Sequence, residues 1–304
     1  MSLHEIHETC PSNDDPTLAE KTTKDILDQH VFIKPEVYHG KNFVQKNLNI
    51  RDLQWLTNAF LEDNGRQQYL DIGCASGDFT RDVLLSKCEP CRRIVGVDIS
   101  PDMVRYAREH ASHPKIVYEV LNIAGDVSSF IEKYGRFRRV YSFFTLHWAR
   151  DQVRALRNIA ELMTPDGECL VKFIGKTSAF DAWMELARNR RWRSCAKVLE
   201  ESVPSSHYAN NQRAYIEMLI EKSGLKPHTC EALRQEINLS VQGLRDMFSP
   251  LLPVGNDMGQ EDKSDILDDF VSEMLAICGN QSKDGVAILE IHYLVHASKR
   301  SGQL

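Results

Sequence analysis

The sequence lacks any apolar run of ~18 residues, so no helix of membrane-spanning length is expected. Its opening stretch, MSLHEIHETCPSNDDPTLAEKTTKD, is polar and mixed in charge, without the basic and apolar regions of a secretory leader. A basic field is also missing. There are 37 Lys and Arg against 43 Asp and Glu, the net charge is −6 and the pI is about 6.0. A phosphate-backbone binder is therefore not expected, and no nucleic-acid partner is predicted. The short basic run RNRRWR (188–193) reads as a solvated helix face around a buried Trp192. Nor is there a cysteine framework. Cys10, Cys74, Cys88, Cys91, Cys169, Cys195, Cys230 and Cys278 are scattered, and the one CxxC has no second pair at zinc spacing. No metal site is expected, and the thiols read as reduced, in a cytoplasmic protein. Internal repeats and low-complexity tracts are absent.

What remains is the composition of an ordinary globular chain, 42% hydrophobic and 26% charged over 304 residues. Residues 1–30 carry no sustained period and are expected to form a flexible extension to a single domain over 31–304. A helix is predicted over about 46–61. From QYLDIG onward, strands and helices alternate. RRIVGVDIS, KIVYEVLNI, FRRVYSFFTL and GECLVKFIG are the next strands, separated by helical stretches such as PDMVRYAREHA and RDQVRALRNIAELM. That alternation predicts an α/β fold, a doubly wound and mostly parallel sheet with helices on both faces. Two later strands, RQEINLSV and the period-2 stretch GVAILEIHYLVHASKR, bring the count to seven, the last inserted antiparallel. Residues 176–224 read as a helical insert after strand five.

The most informative stretch is YLDIGCASGDFT (69–80). A strand ends in Asp71. Gly73 and Gly77 then allow a tight turn and close approach of backbone to a ligand, and a helix follows. Strand two ends in Asp98, whose carboxylate can accept both hydroxyls of a ribose. A dinucleotide would want GxGxxG and a phosphate on the helix N-terminus. Here an acid precedes the glycines, which suits an ammonium and repels pyrophosphate, so a methionine-based methyl donor fits better than NAD. Ala75 stands between the glycines, and costs strain if that position needs a positive φ.

This block, about 65–175, resembles the class I S-adenosylmethionine-dependent methyltransferases. The resemblance implies that Asp71, Gly73 and Gly77 line the methionine moiety and that Asp98 holds the ribose. It further implies Ile99 and Met103 around the adenine, Asn122 and Ile123 after strand three at the adenine edge, and Phe143 near the sulfonium. Asn122 stands where the family usually has an acid. The stretch YSFFTLHWARDQVRALRNIAELMTPDGECLVKFIGKTSAFDAW (141–183), with RRWRSCAKVLEESVPSSHY and YHGKNFVQKNL, is similar to the arthropod juvenile hormone acid O-methyltransferases. That likeness implies methyl transfer to the carboxylate of a sesquiterpenoid or fatty acid, with Gln45 and Trp148 as active-site residues. Trp148 otherwise reads as a core plug. His147 reads either as a structural histidine or as a substrate contact.

The chemistry asks for little more. A carboxylic acid of pKa roughly 4–5 is already an anion at neutral pH, so no general base is needed. Positioning and exclusion of water then carry the catalysis, and neutral donors such as the Gln45 amide and Trp148 indole can hold the carboxylate. Phe180, Trp183, Met184, Leu186, Trp192, Val198 and Leu199 of the insert are available to line an apolar chain or simply to pack the insert. Two rivals stay open: a class I methyltransferase for another small molecule, with His147 as base, and a cofactor-binding protein without turnover. The sequence leaves the oligomeric state open.

Overall fold

The computed structural model describes residues 33–56, 59–60, 64–254, 258–279 and 285–300. The expected N-terminal extension, 1–30, lies outside them. Seven strands form one sheet: β1 (Gln68–Ile72), β2 (Arg93–Asp98), β3 (Ile116–Val120), β4 (Phe137–Phe143), β5 (Met163–Thr177), β6 (Leu225–Leu239) and β7 (Val286–Lys299). Their order is β3-β2-β1-β4-β5-β7-β6. The first five pair in parallel, and β7 runs antiparallel between β5 and β6. Every residue of β1 and β4 is buried, including the polar Gln68, Asp71, Arg138, Arg139 and Ser142, as central strands covered on both faces require. The order reverses between β1 and β4, and the carboxyl ends of those strands open the crevice where such sheets bind ligands.

The helices are α1 (Pro35–His39), α2 (Phe43–Leu56), α3 (Leu85–Cys88), α4 (Pro101–His110), α5 (Ser128–Tyr134) and α6 (Gln152–Leu162). They continue with α7 (Ser178–Arg188), α8 (Ala196–Glu201), α9 (Gln212–Ser223), α10 (Val241–Phe248) and α11 (Gln260–Cys278). A π turn (Thr80–Leu84) leads into α3. Local sequence explains the sharp starts. Ser100 caps α4 by accepting from the Met103 N–H, with Pro101 in the first turn, and Asp151 caps α6 through the Arg154 N–H.

Three differences from the sequence reading matter for the site. Strand β4 stops at Phe143 rather than running on to Leu146, because Phe144 adopts a positive φ of 50° and turns the chain. Strand β6 begins at Leu225, well before the predicted stretch, since Gly224 ends α9 in the left-handed conformation and passes directly into the strand. Helices α10 and α11 lie between β6 and β7, where no helix was predicted. Their apolar faces (Leu244, Met247 and Phe248; Ile266, Phe270 and Met274) pack with Trp183, Leu186 and Leu199 of α7 and α8. The helical cover is therefore larger than 176–224. Trp192 is buried in it, its indole N–H donating to Asp269 at 2.8 Å while Arg191 lies over the ring. Among the described residues no helix is long and apolar enough to cross a membrane.

Candidate active site

The turn after β1 is built on backbone that only some residues tolerate. Gly73 sits at φ +78°, and a Cβ there would lie 1.9 Å from the Thr145 hydroxyl. Its N–H and that of Cys74 donate to the Val97 carbonyl of β2, at 2.7 and 3.0 Å. Ala75 follows at φ +47°, so the position does need the left-handed region and alanine carries the strain there. The Ala75 N–H donates to one oxygen of Asp98 at 3.0 Å, and the Ser100 N–H to the other at 2.9 Å. The Asp98 carboxylate is thereby locked facing the turn. Burial nonetheless pushes its carboxyl above the usual range, against the pull of those N–H groups.

A single cavity of about 380 Å³ opens beside this turn. One end is lined by Gly73, Ala75, Asp98, Ile99, Met103 and Asn122, with Ile123 and Phe143 alongside. Asn122 uses its side-chain oxygen to accept from the Ala124 N–H at 2.9 Å, which holds the amide at the edge of the cavity. Asp71 and Gly77 do not join this lining. Asp71 lies behind the turn, 3% exposed, and accepts from the Thr80 hydroxyl at 2.6 Å. Burial, with help from Asp98 and Asp78, lifts its carboxyl to about 7. Gly77 is required by packing: a Cβ there would sit 2.8 Å from the Tyr118 ring.

The middle of the cavity is formed by α2 and by the 3-10 turn Leu146–Trp148. The positive φ of Phe144 swings this turn off β4, so His147 and Trp148 face the cavity instead of continuing the strand. Trp148 is half-buried and stacks on Trp183, ring centroids 5.8 Å apart. It is both wall and packing partner. Gln45 is 9% exposed and lines the cavity from α2, and its side-chain oxygen has no partner among the described residues. His147 is buried, with Nδ1 likewise unpartnered. An orphaned lone pair is cheaper than an orphaned N–H, so the proton is assigned to Nε2, the nitrogen left to meet the cavity. Burial, then nearby His292, drops the imidazole pKa to about 3.

The far end is apolar: Phe180, Trp183, Ile237, Met247, Phe248 and Leu251. Four of these, Ile237 of β6, Met247 and Phe248 of α10 and Leu251 just beyond it, were not foreseen as lining. Tyr38 of α1 was also missed, and so was Glu290 on β7. Glu290 did leave a signal, since Glu290 and His292 are polar residues two apart, on one face of an otherwise apolar strand.

A methyltransferase-domain family profile matches residues 70–167. The chain is 32% identical to the juvenile hormone acid O-methyltransferase of Bombyx mori over 189 residues, which covers 62% of this chain and 67% of that one. It is 28% identical to the Drosophila melanogaster protein of the same name over 229 residues, 74% of each. Among solved structures, a methyltransferase from Bacillus halodurans superposes with a TM-score of 0.53 at 12% identity, covering 83% of this chain and 99% of that one. That likeness speaks to the fold.

The methyl donor of this family, S-adenosylmethionine, fits the residues present. Asp98 offers acceptor atoms at the cavity edge, Ile99, Met103 and Ile123 offer apolar faces, and the bare Gly73 lets backbone approach the ligand. From its sheet order, its glycine turn and these relatives, the chain belongs to the class I S-adenosylmethionine-dependent methyltransferases, with the juvenile hormone acid O-methyltransferases among its kin.

Proposed function

We propose that the protein methylates the carboxylate of a lipophilic acid, of sesquiterpenoid or fatty type, to give its methyl ester. The observation that carries this reading is the make-up of this cavity: residues able to take a nucleoside (Asp98, Ile99, Met103), the neutral Gln45, His147 and Trp148, and a set of apolar side chains such as Phe180, Trp183, Met247 and Phe248. The names of the silkworm and fruit-fly relatives point the same way. When bound, the donor supplies an electrophilic methyl on a sulfonium. In this reading Asp98 holds the ribose, Ile99, Met103, Asn122 and Ile123 surround the adenine, and Phe143 packs near the sulfonium. Gly73 gives close backbone approach, while Asp71 and Gly77 support the turn from behind.

The Gln45 amide and the His147 Nε2–H are set to donate to the acid's oxygens, and Trp148 closes the wall beside them. All are neutral, so they orient the carboxylate without quenching its charge. The alternative, a phenol or amine acceptor, needs a base beside it. His147 is ill suited to that task, because an imidazole of pKa about 3 has little proton affinity at neutral pH. The reading is of a small-molecule enzyme in the cytoplasm, with its described cysteines as free thiols.

The test is methyl transfer from labelled S-adenosylmethionine to a lipophilic acid, a phenol and an amine of similar size. Transfer to the acid alone, weakened by about 10–100-fold in Gln45→Ala, supports the proposal, since a hydrogen bond to a charged group contributes about 1.5–3 kcal/mol. Transfer only to the phenol or amine defeats it. Donor binding without transfer to any acceptor leaves a binding protein.

A further inference from the structure

We infer that Asp78 is a positioning residue for methyl transfer: from the turn that receives the donor it holds the first turn of α2, and so sets where Gln45 meets the acceptor. The inference rests on the acid reading above and adds how the two halves of the site are kept in register.

Asp78 directly follows Gly77, and its side chain is 7% exposed without lining the cavity. One oxygen accepts from the Ser76 hydroxyl at 2.7 Å, inside the turn. The Asn42 amide donates to both oxygens, at 3.2 and 3.3 Å, and the Lys46 ammonium to the second at 3.2 Å. Burial pushes the Asp78 carboxyl up, but Ser76, Lys46 and Asn42 together outweigh that and hold it below the usual range. At neutral pH it is a carboxylate that joins the glycine turn to α2.

Its two partners on that side bracket Gln45. The Lys46 N–H donates to the Asn42 carbonyl at 3.0 Å, so Asn42 opens the helix and Gln45 lies in its first turn. The first turn is where a helix frays unless its end is held, and a negative charge there also complements the helix dipole. Asp78 supplies both. Farther along, Asp52 with Lys172 ties α2 to the sheet, two turns after Gln45. A second tie near the start of α2, Lys41 with Asp246, runs to α10 and is partly exposed on both sides, where an ion pair contributes little. Lys46 also has Asp82 at 3.6 Å, so without Asp78 its ammonium keeps a partner while the glycine turn loses its hold on the helix.

This link matters because methyl transfer depends on alignment. Gly73 and Ala75 of the same turn line the cavity where the donor is read to sit, and Gln45 lines it from α2. Asp78 joins the two directly. A misplacement of about 1 Å can lower a rate by roughly 100-fold, so a residue that touches neither substrate can still set the rate through Gln45. Asp78→Asn keeps the size of the side chain. It removes the charge that Lys46 meets, and its amide turns a donor toward Lys46 or Asn42, which are donors themselves.

The experiment is a double-mutant cycle on kcat/KM for a lipophilic acid, using wild type, Asp78→Asn, Gln45→Ala and the double variant, with donor binding followed in parallel. The expected result is a loss of about tenfold or more in Asp78→Asn that shrinks to less than about twofold once Gln45 is alanine. Losses that multiply in the double variant overturn the inference, because Asp78 would then serve the turn or the fold independently of Gln45; a parallel loss of donor binding would identify the turn. Should Asp78→Asn not fold, Asn42→Ala breaks the link from the helix side and must show the same dependence on Gln45. If no acid is methylated, the acid reading fails, and hydrogen exchange still decides on the link: faster exchange in the first turn of α2 in Asp78→Asn sustains it, and unchanged exchange overturns it.

Discussion

Lys172 on β5 and Asp52 on α2 form an ion pair with both side chains buried, at 1% and 0% exposure. Asp52 lies seven residues, about two turns, after Gln45, so both project from the same side of α2. The pair therefore fixes the helix that brings Gln45 to the cavity.

Removing Lys172 leaves the buried Asp52 with only the half-exposed Arg51 beside it, 3.3 Å away. Burial already pushes the Lys172 ammonium below its usual range, and Asp52 is the group that opposes this. Lys172→Met is expected to cost about 3–5 kcal/mol of stability, and Lys172→Met with Asp52→Leu to recover most of it. Urea unfolding of the single and double variants measures both. A single variant as stable as wild type would show that the pair anchors nothing.

Ala75 is the second point of leverage. At φ +47° an alanine costs roughly 1–2 kcal/mol relative to a residue free of Cβ. Ala75→Gly relieves that strain and gives up part of the gain to chain entropy, so the expected net is a stabilisation of up to about 1 kcal/mol. Ala75→Val, with a branched side chain at the same φ, should be clearly destabilising. Thermal unfolding of the two variants should move in opposite directions. Equal shifts would mean that the turn relaxes out of the left-handed region.

The parts of the molecule legible in the sequence are those governed by neighbours in the chain. Strands β1 to β5 show as apolar runs punctuated by Gly, Pro and Asp, and Asp71, Gly73, Gly77 and Asp98 stand at their ends. The glycines were legible as glycines but not by purpose: Gly73 makes room for Thr145, while Gly77 makes room for Tyr118. What escaped is long-range. Thr177 and Glu290 are 113 residues apart, and only the pairing of β5 with β7 brings them together. Helix α11 did carry a local signal, Ile266, Phe270 and Met274 at helical spacing, whereas what α10 and α11 pack against comes from α7 and α8 and is not legible locally.

His147 yields the pH prediction. Its folded pKa of about 3 lies below the ordinary 6.5, because burial disfavours the imidazolium. Between those values the unfolded chain binds a proton that the folded chain refuses. At this residue the unfolded state holds more protons, so the His147 contribution to stability rises with pH across this window and is lost as pH falls from about 6.5 toward 3, while Asp71, lifted to about 7, contributes the opposite slope. His147→Phe removes the histidine contribution and should shift the slope between wild type and variant by up to about 1.4 kcal/mol per pH unit. Catalysis should respond differently. A neutral donor keeps its proton throughout the range in which a lipophilic acid is ionised, so kcat/KM should stay level from about pH 6 to 8. His147→Gln, which keeps an N–H donor, should retain more activity than His147→Phe. An activity profile that climbs with a midpoint near 6.5 in wild type and loses that climb in His147→Gln, which leaves Asp71 with its carboxyl near 7 in place, would instead make the imidazole a base, and would turn the acceptor from a carboxylate into a group with a proton to lose.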